Sequence, residues 1–391
     1  MKHSLSVAHQ LCHRVRVKQL VDDWKRIFAR AITKPEEILD NFRVDVKSLK
    51  AVAAQYPMRI SRHYFNLIEE INDPIWKQCV PSPLELRDPN TIDDPLNEEE
   101  DSPAPGLVHR YPDRVLMCVS NSCATYCRFC TRKRKVGKPV IDLSHEVFLE
   151  QIRYVEKNPA VRDVLLSGGD PLLLEDEELE FLLKRLRAIP HVEILRIGTR
   201  IPCMLPQRVT PELCNMLKKY HPLYVNVHFN HPWEITEESE RACGLLADAG
   251  IPLGNQSVLL KGVNDEPEVM RELMQRLLRI RARPYYLFQM DLVKGTHHFK
   301  TRVETGIKII ESLVGHTSGF AVPRYVIDAP GGGGKVPIQP DYILNMNEEM
   351  VTLRNYEGKV CSYPQAPLEH QAPSEHANAP MRVLARTRET I

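Results

Sequence analysis

The chain has 391 residues, 43% of them hydrophobic, and its Lys+Arg 52 and Asp+Glu 51 leave a net charge of +1. That length suits one large catalytic domain with a smaller appendage, and the near-neutral balance excludes a general pull toward nucleic acid or an anionic membrane. Ten scattered cysteines do not read as a disulfide framework, and with no bilayer-length apolar run and no signal-peptide core a cytoplasmic, reducing setting is expected.

Residues 1–105 read as a helical region ending in a linker. Over 17–32 the residues Leu20, Val21, Trp24, Ile27 and Phe28 form one apolar stripe, and 35–39, 46–54 and 60–71 follow as further amphipathic helices. Nothing catalytic stands out in them. The prolines of 81–106 and the acidic run Glu98–Asp101 predict an extended linker.

From about residue 114 short apolar runs alternate with helical stretches, the pattern of βα units around a parallel sheet. Strands are expected at 115–120, 163–167, 193–198, 223–229, 252–259 and 284–290. Six such units over 106–320 predict an α/β fold, a partial (β/α)6 TIM-like barrel, with a C-terminal extension over 321–391. Function in such barrels gathers at the C-terminal ends of the strands. Ser167, Gly168, Gly169 and Asp170 follow the second run, Asp291 follows the sixth, and Asn226, His228 and Gln256 interrupt apolar strands. Polar groups inside a buried strand need partners, either a core network or a polar ligand.

Directly after the first run comes Cys123-Ala-Thr-Tyr-Cys127-Arg-Phe-Cys130, then Thr131-Arg132-Lys133-Arg134-Lys135. Three soft thiolates on one loop suit an iron–sulfur cluster; such clusters normally take four cysteines, so one iron would stay open to a substrate. The spacing also fits one face of a helix, against which the dense basic run speaks, and zinc, for which no second knuckle is present. Cys118 could close the cluster as a fourth ligand, although its place within the strand should point it along the sheet. A nucleic-acid patch is the other reading of the basic run, which is isolated.

Near the C-terminus Asp328-Ala-Pro precedes Gly331–Gly334 and Lys335. Glycine amides can approach a phosphate closely. A Walker loop is excluded, because Ala329 and Val336 occupy its required glycine and hydroxyl positions; a flexible surface loop is the plain alternative. A lysine just after such a loop is placed to form an imine with an aldehyde cofactor. The two carboxylates Asp291 and Asp328 could do acid–base work, hold a metal or receive a cation.

These stretches, with His109-Arg-Tyr-Pro-Asp-Arg-Val115, Leu166-Ser-Gly-Gly-Asp-Pro171, His228-Phe-Asn-His-Pro232 and Pro284–Asp291, resemble in kind and order the lysine 2,3-aminomutase family of radical S-adenosylmethionine (SAM) enzymes. The resemblance covers about 105–345. It implies a [4Fe-4S] cluster on Cys123, Cys127 and Cys130, with SAM along Ser167, Gly168, Gly169, Asp170, His228 and Gln256. It also implies pyridoxal 5′-phosphate (PLP) on Lys335, with Arg110 and Arg114 at its phosphate. Arg132 would grip the substrate carboxylate, and Asp291 and Asp328 the distal ammonium of lysine, a charge layout suited to a cationic amino acid. One electron would cleave SAM to a radical that takes hydrogen from the β-carbon, and the α-amino group would move there, giving β-lysine. Glutamate-directed relatives do not keep the acidic pair, which disfavours glutamate; arginine is poorly discriminated. A one-electron reductant such as flavodoxin or ferredoxin and a homo-oligomer are implied as well. Better-known members bind zinc through clustered cysteines near the C-terminus, where this chain has only Cys361. A non-catalytic iron–sulfur protein is the alternative from another class.

Overall fold

A computed structural model describes residues 24–89, 92–138 and 143–366. The stripe positions Leu20 and Val21 and the tail after 366 lie outside the described residues. Nine strands form one sheet in chain order: β1 (Leu107–Tyr111), β2 (Arg114–Ser120), β3 (Asp163–Gly168), β4 (Ile194–Gly198), β5 (Leu223–Val227), β6 (Leu253–Leu259), β7 (Ala282–Gln289), β8 (Arg324–Ala329) and β9 (Gly334–Pro337). From β2 to β8 each strand pairs in parallel with the next. β1 and β9 flank this series as antiparallel arms. The sheet curls into a nearly closed barrel, and the hydroxyl of Tyr111 on β1 accepts the backbone N–H of Lys335 on β9 at 3.0 Å.

All six expected strands are present, and the parallel series runs one strand further. That extra strand, β8, has only Tyr325, Val326 and Ile327 as a continuous apolar run between Arg324 and Asp328. So short a run carries little periodic signal. It is held by packing: Tyr325 lies so close to Gly306 of the helix Val303–Leu313 that any side chain there would collide with its ring.

Helices His145–Glu156, Asp176–Arg187, Pro211–Leu217, Glu237–Asp248, Pro267–Arg279 and Val303–Leu313 lie in the crossovers between strands. Their apolar stripes are the buried ones; in Pro267–Arg279 these are Met270, Leu273, Met274 and Leu277. They cover strand residues such as Val115, Met117, Val119, Leu195, Ile197, Val225 and Val227, all buried. Alternate strand positions point inward and are largely polar, as the two-residue period requires; Asp163 on β3 and Arg196 on β4 pair there at 2.7 Å.

The N-terminal region packs into the same core, through Trp24, Ile32, Ile38, Tyr64 and Trp76. A separate unit begins at Asp341. Its described part is an antiparallel sheet of β10 (Ile343–Met346), β11 (Met350–Arg354) and β12 (Val360–Pro364). No helix among the described residues is long and apolar enough to cross a membrane.

Candidate active site

A cavity of about 670 Å³ runs through the barrel interior toward the C-terminal strand ends. Every residue to which the resemblance gives a role lines it: Cys123, Cys127, Cys130, Ser167, Gly168, Gly169, Asp170, His228, Gln256, Arg110, Arg114, Arg132, Asp291, Asp328 and Lys335.

The cysteine loop leaves the end of β2 and is pinned from the N-terminal region. Tyr126 donates its N–H to the Arg59 carbonyl at 2.8 Å, and Arg128 to that of Gln78 at 2.9 Å. The basic run is fully engaged. Lys133 pairs with Glu85, Arg132 with Glu98, and Arg134 and Lys135 with Asp94, Glu98 and Glu99. What reads in sequence as a linker is therefore the counter-charge of the loop. Cys118 is buried within β2 beside Gly106, outside the cavity wall.

Burial, with Asp170 and Cys130 adding to it, holds the Cys123 thiol well above its ordinary range, and burial together with Cys127 pushes Cys130 up to about 11. Clustered, half-buried thiols resist ionisation, and a metal centre supplies the positive charge that reverses this. Among the described residues no three His, Cys, Asp or Glu side chains converge as ligands of one ion. A cubane does not ask that of its cysteines, since each binds a different iron. The donor set fits such a cluster.

Gly168 has φ +111, and a Cβ on it or on Gly169 would strike the backbone of Ser120 or Ser122. Only glycine lets the end of β3 press against the root of the cysteine loop. Gly169→Ala is thus expected to destabilise the protein by ~1–3 kcal/mol through overpacking and to lower the iron retained per chain. An unshifted thermal transition with full iron content would contradict this.

Asp170 accepts hydrogen bonds from Thr199 Oγ1 at 2.7 Å, the Arg200 N–H at 2.7 Å and the Leu172 N–H at 3.1 Å. Burial pushes it up to about 6. Its oxygens thereby fix the turn after β4. The Nδ2 of buried Asn226, a cavity residue, has no hydrogen-bond partner, a donor suited to a polar ligand. Burial, then the charge of Arg200, holds His228 well below the usual histidine range, so it is neutral. Its Nε2 faces Asn230 Oδ1 at 3.1 Å, an oxygen that also accepts the Val258 N–H. Nε2 is therefore the donor, which leaves Nδ1 as an acceptor.

At the other end of the cavity, the β8–β9 register sets Asp328 opposite Lys335, and Nζ reaches the carboxylate at 2.9 Å. The turn between them needs positive φ at Gly331 (67), Gly332 (84) and Gly334 (78). A side chain on Gly332 would collide with the Arg110 guanidinium, so glycine backbone and cation meet directly. This is a cradle suited to phosphate. Arg110 also pairs with Asp101. Arg114 bonds Asp113 at 2.9 Å and lies over the Tyr111 ring at 3.9 Å.

Asp291 accepts from Thr131 Oγ1 at 2.8 Å. Burial pushes it up to about 6 against that hydrogen bond, and the Asp328 charge adds to the rise. Glu98 takes one edge of Arg132 (Nε 2.9 Å, Nη2 2.6 Å), leaving Nη1 near Ser167 Oγ at 3.4 Å. Glu98, Thr131 and Arg200 are site residues that sequence reasoning passed over. Only Glu98 carried a signal, an acidic run of the length and opposite sign of the basic one.

A family model described as Lysine-2,3-aminomutase matches residues 310–389, and one described as Radical SAM superfamily matches 117–274. The L-lysine 2,3-aminomutase of Clostridium subterminale is 54% identical over 337 residues, 85% of this chain and 79% of that one. That of Methanococcus maripaludis is 56% identical over 312 residues, 79% of this chain and 72% of that one. The glutamate 2,3-aminomutase of Clostridioides difficile is 49% identical over 321 residues, 82% and 76% of the two chains. Extent and identity together establish that this chain belongs to the lysine 2,3-aminomutase family of the radical SAM superfamily.

Proposed function

We propose that this radical SAM isomerase moves the α-amino group of L-lysine to the β-carbon, giving β-lysine, with PLP bound beside the cluster and SAM. One observation carries the reading: three thiols, an amine-bearing lysine and two carboxylates share the wall of a single cavity. When bound, the cluster and SAM would supply a hydrogen-abstracting radical, and PLP would supply a conjugated ring that delocalises an unpaired electron.

Cys123, Cys127 and Cys130 hold three corners of the cluster. Asn226 Nδ2 and His228 Nδ1 offer a donor and an acceptor to the polar groups of SAM, with Gln256 beside them. Lys335 holds the aldehyde, while Arg110 and the glycine turn, with Arg114, receive the phosphate. The Nη1 edge of Arg132 takes the substrate carboxylate, its other edge being fixed by Glu98. Asp291 and Asp328 receive the distal ammonium, and Asp328 exchanges Lys335 for the substrate as its partner. A flavodoxin or ferredoxin delivers the electron.

A second reading, arginine as substrate, has one observation in its favour. Asp291 and Asp328 also wall a further cavity of about 530 Å³, which gives space to a longer cationic tail. Anaerobic incubation of reduced, reconstituted protein with SAM, PLP and lysine, arginine or glutamate separates these. β-Lysine as the principal product is expected; no isomer from lysine overturns the proposal. Lys335→Ala is expected to lose the visible absorbance of covalently held PLP while keeping its iron, and retained absorbance would remove Lys335 from this role.

A further inference from the structure

Arg200 stands two residues after the end of β4 and is buried, yet it is neither a cysteine nor part of any motif above. Its Nη1 donates to Cys127 Sγ at 2.8 Å. Nη2 is held by Gln78 Oε1 at 2.7 Å and Glu234 Oε1 at 2.8 Å, and Nε by the His228 carbonyl at 3.3 Å. Glu234, fully buried, is itself fixed by Tyr64 Oη at 2.6 Å and the His231 N–H at 3.0 Å. The Arg200 backbone is tied to Asp170. Every freedom of this guanidinium is removed, and one of its N–H groups is spent on sulfur.

We infer that Arg200 is a positioning residue that sets the reduction potential of the cluster, by donating a charge-assisted hydrogen bond to the Cys127 sulfur from an orientation fixed by Glu234. This rests on the reading that Cys127 is a cluster ligand. Reduction adds one electron from an external low-potential donor and breaks no bond in that step, so the whole effect lies in how well the added negative charge is accommodated. A cation and an N–H on a ligating sulfur favour the reduced cluster and raise its potential. A guanidinium stays protonated inside proteins, so Arg200 brings a fixed positive charge to the sulfur. The carboxylate of Glu234 partly offsets that cation. Removing either partner should therefore move the potential in opposite directions, which a merely structural role would not do.

The test is an EPR-monitored redox titration of the reconstituted holoprotein against Arg200→Gln and Glu234→Gln. In R200Q the ratio of reduced to oxidised cluster at a fixed potential should fall about tenfold, a midpoint lower by about 59 mV. E234Q removes the negative charge but keeps an amide oxygen to accept from Nη2, and Gln78 still holds that nitrogen, so it should raise the midpoint. An unmoved midpoint in either variant, or movement of both in one direction, overturns the inference. Should neither variant hold its cluster, pulsed EPR of the reduced wild-type protein grown on 15N-arginine decides. Coupling to a guanidinium nitrogen supports the bond and absence of coupling overturns it. A wild-type protein that takes up no iron would instead sink the cluster reading itself.

Discussion

Glu85→Ala is expected to destabilise the protein by ~3–5 kcal/mol, because it strands two buried cations at once. The Glu85 side chain is 0% exposed and binds Arg128 through Nε at 2.9 Å and Nη2 at 2.5 Å. Its Oε2 also accepts from Lys133 Nζ at 2.6 Å. Burial already pushes Lys133 down to about 8. Without Glu85 its charge loses its main support, and Arg128 cannot discharge at all. Both cations belong to the cysteine loop, flanking Cys130, so the damage reaches the site. Iron uptake during reconstitution should fall together with the urea midpoint. A variant with a wild-type midpoint would show that the remaining carbonyl contacts of Arg128, from Pro57 at 3.0 Å and Tyr56 at 3.4 Å, suffice.

That same glutamate marks where sequence reasoning stops. The thiols were legible because all three fall within eight residues, a pattern local enough to survive without a fold. The barrel was legible because apolar runs and helical stripes repeat along the chain. Glu85 and Arg128 are 43 residues apart, Glu98 and Arg132 are 34 apart, and Cys127 and Arg200 are 73 apart. No periodicity links such positions, so a helical N-terminal region looked inert while its Gln78 and Glu85 were gripping the cysteine loop. Asp328 and Lys335 were recognisable as residue types. Their direct pairing depends on the β8–β9 register, and β8 is the strand whose apolar run was too short to see. Asp170 shows the reverse case. Its place after two glycines marked it for a ligand, whereas its carboxylate is taken up by Thr199, Arg200 and Leu172.

Asp291→Asn should weaken lysine binding about 30-fold or more, on the order of 2 kcal/mol or above, since it removes one anion from a desolvated cation pocket. The same substitution should stabilise the empty protein. Asp291 ordinarily titrates near 3.8 and is pushed up to about 6 by burial. Its folded form therefore holds a proton more tightly than the unfolded chain does, a stabilising contribution complete below about 3.8 and lost as pH rises through about 6. At ~1.4 kcal/mol per pH unit, carrying the charge costs the empty cavity up to about 3 kcal/mol. Asn has no such cost, so Asp291→Asn should melt higher than wild type at pH 8, with a smaller gain at pH 5. The wild-type KM for lysine should climb as pH falls below about 6, a limb the variant lacks. Asp328→Asn should weaken lysine comparably without stabilising anything, because Asp328 already has Lys335 at 2.9 Å to balance it. Two carboxylates of one pocket are thus distinguished by the sign of their effect on the empty protein. Unaltered lysine turnover in both variants, or an Asp291→Asn protein that melts lower at pH 8, would refute the ammonium pocket as described.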